Sequence, residues 1–236
     1  MSNNTLSKAS SPLVETINTS QWDLSSFNDL DSSKDRIIFR LINRYQNQNL
    51  LEETPHIDFL DLAIVFLYLI ETHDSVSATI LIKNNHSKIW KTDCSSLMSI
   101  ASNNTPRLLP WSVSNLKDML LSMEYTDDDL IPEAKDISCP MYILTNSARL
   151  HGAGCILYPD VTEELWKRFG CDYYIIPSSI HELLLIPCYD SNTFAAQELN
   201  NMIKTVNQTQ LDPGEILSDH AYIYKHSMHM ISGLHG

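Results

Sequence analysis

The chain carries no run of lysine or arginine. Sixteen basic residues stand against 29 acidic ones, giving a formal net charge of -13 and a pI of about 4.9. A surface of that sign repels phosphate backbones, which disfavours general electrostatic binding to nucleic acid. No charged leader followed by an apolar core opens the sequence, so no secretory signal is read there. The longest apolar stretch, residues 60–70, is too short to span a bilayer and carries Asp61. No CxxC spacing occurs among the five cysteines, Cys94, Cys139, Cys155, Cys171 and Cys188, and their number is odd. Most sit in or beside apolar runs, where a free thiol behaves as a small hydrophobe. That usage fits reduced thiols in a cytoplasm rather than a disulfide framework. GxGxxG, the P-loop lysine, the GxSxG elbow and the EF-hand loop are all missing, as is any internal repeat. No cofactor is therefore expected.

What is present is apolar content of 43% in 236 residues, enough for one sizeable core. Residues 1–34 are rich in Ser, Asn and Thr and read as a flexible tail, too poor in apolar side chains to offset the entropy of ordering. Within it, Trp22, Leu24, Phe27 and Leu30 form a candidate short docking helix. Residues 35–236 read as a single domain. Residues 36–45 (RIIFRLINRY) alternate Ile37, Phe39 and Leu41 against Arg36 and Arg40, as a strand does. Residues 47–56 read as a polar connection. The runs 61–71 and 78–83 flank a polar turn at 72–77 and read as an antiparallel hairpin, the first run also being compatible with a buried helix. Thr92 or Asp93 caps a helix over 94–102, which Pro106 and Pro110 terminate. Ser112 is a second N-cap, followed by Val113, Leu116, Met119, Leu120 and Met123 at helical spacing. Strands are expected at 141–145 and 152–158, then a helix capped by Asp160 and closed by Gly170. Two further strands at 172–176 and 183–186, a helix over 194–206 capped by Thr193, and a last strand at 222–224 complete the order. The whole predicts an α+β fold, an antiparallel-rich sheet with helices packed mainly on one face.

The segments MYILTN, HGAGCILYPD, DYYIIPSSIHELLLIP and VNQTQLDPGEILSD carry a resemblance. They look like a family of uncharacterised bacterial proteins known only as a domain of unknown function. The most specific piece is IIPSSIHELLLIP, an aliphatic strand, then Pro-Ser-Ser-x-His-Glu, then a second aliphatic strand. The resemblance spans roughly residues 54–224, with the tail standing where the family's usual N-terminal portion would be. It implies an intracellular protein of anaerobic gut bacteria and their mobile elements, and it carries no activity over.

Ser178, Ser179, His181 and Glu182 lie together between two strands and hold the components of nucleophilic acyl transfer. Triads are assembled from separated positions, so the structural reading competes: Pro177 fixes the entry, the hydroxyls bond nearby backbone, and His181 tethers the turn. Cys155, behind Gly152 and Gly154, is a candidate nucleophile or a strand position of close packing. His220, His226, His229 and His235 crowd the C-terminus, and His226 and His229 have an HxxH spacing. No Cys pair or second HxxH accompanies them, so no metal site is assigned. Asp212, Pro213 and Gly214 mark a turn which, with Glu215, Ser218 and Asp219, invites a cation reading whose spacing fits no EF-hand loop.

These observations favour a non-enzymatic binding or regulatory module with a protein partner, without direct nucleic-acid or membrane contact, presenting the 177–182 connection from a rigid base. One alternative is a hydrolase with His181 as base, Glu182 as orienting carboxylate and Ser178, Ser179 or Cys155 as nucleophile. Another is an acidic nucleic-acid mimic, with Asp127, Asp128 and Asp129 as its densest cluster.

Overall fold

A computed structural model describes Phe27 and residues 29–70, 78–122, 140–189 and 194–234. The fold is α+β, built on two antiparallel sheets. The first sheet holds β1 (Ile37–Asn43), β2 (His56–Phe59), β3 (Leu62–Ile70) and β4 (Ala78–Leu81). β3 is its spine: β1 pairs with it over Leu62 to Tyr68, while β2 and β4 share its other edge. Eight of the nine β3 residues are buried, which explains why its sequence is continuously apolar rather than alternating. The expected β3–β4 hairpin is present, with its turn at 71–77 outside the described residues.

The second sheet runs in the order β10, β9, β7, β8, β6, β5, using β5 (Trp111–Asn115), β6 (Tyr142–Asn146), β7 (Tyr173–Pro177), β8 (Leu183–Pro187), β9 (Tyr222–Lys225) and β10 (Met230–Gly233). Strand alternation sorts its side chains. Tyr173 and Ile175 point into a core shared with Ile37, Phe39, Leu41 and Phe66 of the first sheet. Tyr174 and Ile176 point the other way, against Leu199 and Ile203. Those two belong to a helix, Ala196–Gln210, that covers this outer face. Seven helices are described: α1 (Leu30–Ser33), α2 (Gln48–Glu52), α3 (Asn84–Trp90), α4 (Cys94–Leu108), α5 (Leu116–Ser122), α6 (Val161–Phe169) and α7 (Ala196–Gln210).

Several expectations are corrected. Residues 47–56 are not a plain connection: α2 forms there and His56 opens β2. Asp93 does cap α4, accepting from the Ser96 N–H at 2.8 Å, but the helix continues past Pro106 to Leu108. The segment behind Ser112 begins as edge strand β5, whose alternating exposure wins over the helical spacing of Val113, Leu116 and Met119. The helix starts only at Leu116, where the Asn115 side chain accepts from the Lys117 N–H at 2.9 Å. Residues 152–158 are no strand: Gly152–Leu157 winds into a buried 3-10 helix. Asp160 makes no side-chain cap, since its own backbone is left-handed at φ 63°, while Gly170 closes α6 at φ 72°. β9 is not the last strand, because β10 pairs back onto it. Phe27 packs edge-on against Tyr68, His86 and Trp90, and Asp29 caps α1 through the Ser32 N–H. Trp22, Leu24, Met123, Cys139 and Thr193 lie outside the described residues, as do His235 and the Asp127–Asp129 cluster.

Candidate functional site

The 177–182 connection between β7 and β8 is fastened from three directions. Thr145 Oγ1 on β6 donates to the His181 carbonyl at 2.8 Å, and the His151 N–H donates to His181 Nδ1 at 3.2 Å. The Ile180 N–H reaches the Glu215 carbonyl at 3.0 Å. Gly152 makes this closeness possible: a Cβ there would collide with Thr145 Oγ1 and the His181 carbonyl oxygen. The facing turn holds Arg149 and His151 in left-handed backbone, φ 51° and 55°, a conformation non-glycine residues adopt at a cost.

Two imidazoles meet here. The rings of His151 and His181 stack at 5.6 Å between centroids and 14° between planes. His151 is only 8% exposed, and its Nδ1 has no hydrogen-bond partner among the described residues. Burial, with help from the charge of Arg40 and from His181, pushes its pKa well below the ordinary imidazole value. His181 is lowered too, first by burial, with Glu215 pulling the other way and Arg40 reinforcing the drop. Because His181 Nδ1 accepts from backbone, its proton sits on Nε2, which faces Glu215 Oε1 at 4.0 Å.

After burial, Arg40 adds its charge to the lowering of both imidazoles. It sits mid-strand in β1 with three buried residues on each side. Its Nε is shielded from water and unpartnered, and no carboxylate pairs with it among the described residues. Desolvation lowers its pKa to about 10. Arg40 as a whole is half-buried, so the cost of lost hydration falls on the Nε end of its guanidinium. The cluster thus presents an unneutralised cation beside two neutral imidazoles, with Glu215 at the edge, an arrangement suited to receiving an anionic group.

The serines are placed differently from a catalytic pair. Ser179 is buried, and its Oγ accepts from the backbone N–H of His181, not from the ring. Ser178 and Glu182 are half-buried, and Glu182 acts on His181 only as a nearby charge. Cys155 is fully buried and its thiol is pushed up to about 12 by burial, which leaves no thiolate to attack with. The Asp212–Asp219 group does not converge on a cation. Glu215 faces His181, the Ser218 hydroxyl donates to Asp61 Oδ2 at 2.6 Å, and Asp219 Oδ1 accepts from Asn207 at 2.8 Å. His220 lies 3.5 Å from Asp61, whereas His226 and His229 gather at Glu163.

A family described only as of unknown function (DUF5688) matches residues 3–226. The chain belongs to that family. The match reaches well in front of residue 54, so the N-terminal segment falls within the family's extent rather than replacing part of it. Neither a curated protein nor a solved structure matches the chain.

Sequence reasoning found His181 and missed Arg40, His151 and Glu215 as its neighbours. Arg40 had a signal: an arginine between IIF and LIN, a stretch too apolar on both faces for a solvated strand face. No helix among the described residues is long and apolar enough to cross a membrane.

Proposed function

We propose that this chain is a binding module for a protein partner, and that the 177–182 connection with Arg40, His151 and His181 receives a carboxylate of that partner. One observation carries the reading: Arg40 is desolvated at Nε and has no carboxylate of its own among the described residues. A guanidinium fork matches a carboxylate in two parallel hydrogen bonds, and binding would supply the missing counter-charge. The neutral imidazoles beside it can donate or accept without adding charge. The backbone ties around His181 and Gly152 give the rigidity that recognition requires.

The test uses Arg40→Met, which keeps volume and removes charge. Removing a half-buried charge whose Nε is shielded and unpartnered relieves a desolvation cost, so urea denaturation is expected to show a gain of about 0.5–2 kcal/mol. The same variant is expected to lose a stoichiometric partner that the wild type retains from native lysate, and free acetate at high concentration should compete that partner off the wild type. A destabilised Arg40→Met would make Arg40 a structural residue, and a partner retained by that variant would place binding elsewhere. Either result overturns the reading.

A further inference from the structure

The hairpin joining β9 to β10 ends in a feature the anion-binding reading does not use. His226–Met228 forms one turn of 3-10 helix, and His229 follows it in left-handed backbone at φ 48°. A 3-10 helix has three residues per turn, so side chains at i and i+3 eclipse. This turn and the left-handed residue that closes it bring the two imidazoles of the HxxH spacing together, with ring centroids 4.9 Å apart.

The third member comes from α6. Glu163 stands in its first turn, and Trp166 stands one turn further along the same face. The Trp166 indole stacks on the His226 ring at 3.6 Å and 9°, which fixes the plane of that imidazole. Asp172 Oδ1 accepts from the His226 backbone N–H at 3.0 Å and fixes its main chain. Donor atoms of Glu163, His226 and His229 all lie within 4.8 Å of one another.

Two details separate this cluster from a plain surface ion pair. Glu163 Oε2 lies 3.0 Å from His226 Nε2, yet it is shielded from water and has no hydrogen bond among the described residues. The two atoms are close without the in-line geometry of a hydrogen bond, an approach that two ligand atoms of one ion also make. The other oxygen, Oε1, is 3.6 Å from Lys167 Nζ, which leaves Oε2 as the free ligand atom.

We propose that Glu163, His226 and His229 form a Zn2+ site with three protein ligands and an open fourth position. Two imidazoles and one carboxylate are a ligand set zinc takes when it keeps a position for water or another group. Zinc has no geometric demand from its d electrons, and a tetrahedral ion with bonds of about 2.0–2.1 Å needs donors about 3.4 Å apart. His226 Nε2 and Glu163 Oε2, at 3.0 Å, open slightly to reach that spacing, and exposed His229 closes the remaining gap by rotating its side chain. Trp166, Asp172 and Lys167 supply the outer contacts that orient metal ligands.

The experiment is a titration of the full chain with Zn2+ by calorimetry and with Co2+ by visible absorption. The wild type is expected to bind one equivalent and to show the ligand-field bands of four- or five-coordinate Co2+. His229→Asn keeps a residue that tolerates left-handed backbone, and Glu163→Gln keeps size while removing the charge. Loss of an outer-shell partner alone costs about 10–100-fold in metal affinity. Each of these ligand variants is therefore expected to lose more than that, with far-UV circular dichroism unchanged. The proposal is overturned if the wild type takes up no equivalent at micromolar free Zn2+. Uptake that both variants retain at wild-type affinity also overturns it, because the ion is then held elsewhere.

Discussion

At the scale of single residues, His151 makes the clearest demand on pH. Its neutral form is enforced by burial and by two cations or potential cations facing it, Arg40 from β1 and His181 from the 177–182 connection. In the unfolded chain the same imidazole takes up a proton below about 6.5. The unfolded state then binds more protons than the folded one, so this contribution is fully present above that pH and is lost as the pH falls. Each such histidine adds a slope of up to about 1.4 kcal/mol per pH unit. His181 and His86 shift in the same direction, the latter by burial and by Lys83. Carboxylates act in a separate window, because Asp29 and Asp93 are held below 3.8 by their capping bonds to Ser32 and Ser96. Melting temperature is thus expected to drop between pH 6.5 and 5. The drop should be shallower in His151→Asn, whose side chain suits the left-handed backbone. An unchanged slope in that variant would show that His151 is protonated in the fold.

At the scale of elements, two contacts decide whether the sheets and the site hold their places. Asp61, in the turn between β2 and β3, accepts from the Ser218 hydroxyl at 2.6 Å and from the Tyr222 hydroxyl at 2.7 Å. Both partners come from the second sheet or the loop leading into it, and burial with the nearby carboxylate raises the Tyr222 pKa. Asp61→Ala would leave that phenol without its acceptor in the interior. The expected loss is about 2–4 kcal/mol in denaturant unfolding, since hydrogen bonds to a charged group are worth about 1.5–3 kcal/mol each. Gly152→Ala forces Thr145 and the His181 carbonyl apart, an overpacking cost of about 1–3 kcal/mol. Its diagnostic consequence is a displaced His181 ring resonance in NMR, which a variant at open Gly214 should not show.

Elements are also where the sequence was most and least legible. An apolar run located β1, although its burial is two-sided rather than alternating, and a pair of aliphatic runs around a polar connection located β7 and β8. The run GAGCILY has the same apolar content but folds as a 3-10 helix. Its small residues let the segment pass under the 177–182 connection, where bonds such as Tyr158 N–H to the Cys155 carbonyl at 3.1 Å satisfy backbone that no strand partner reaches. The site was half legible for the same reason. His181 belongs to a motif along the chain, but Arg40 lies 141 positions before it, and the packing of β1 against the 150–154 segment brings the two side chains near each other. Glu163 was invisible beside HxxH because its distance from His226 is set by the pairing of β9 with β7.

At the scale of the whole molecule, the question is whether the two sheets stand or fall together. Their facing sides form one core rather than two: Ile37, Phe39, Leu41 and Phe66 share it with Leu144, Tyr173, Ile175 and Tyr222. Polar ties cross the same boundary, with Asn43 Nδ2 donating to the Leu217 carbonyl at 3.1 Å and Asp61 holding Ser218 and Tyr222. Phe39 is the residue on which these contacts centre. It is buried on β1, meets Tyr158 edge-on at 5.9 Å and lies against Gly154, while its N–H donates to Thr105 Oγ1 of α4 at 3.1 Å. Neither sheet can open without exposing the apolar face of the other, so a single cooperative transition is expected over the described fold. Phe39→Ala should cost about 3–5 kcal/mol. It should also lower the amide-exchange protection of β3 and β7 by the same factor, although β7 lies in the other sheet. If β3 loses protection while β7 keeps it, the sheets unfold independently and the chain holds two folding units.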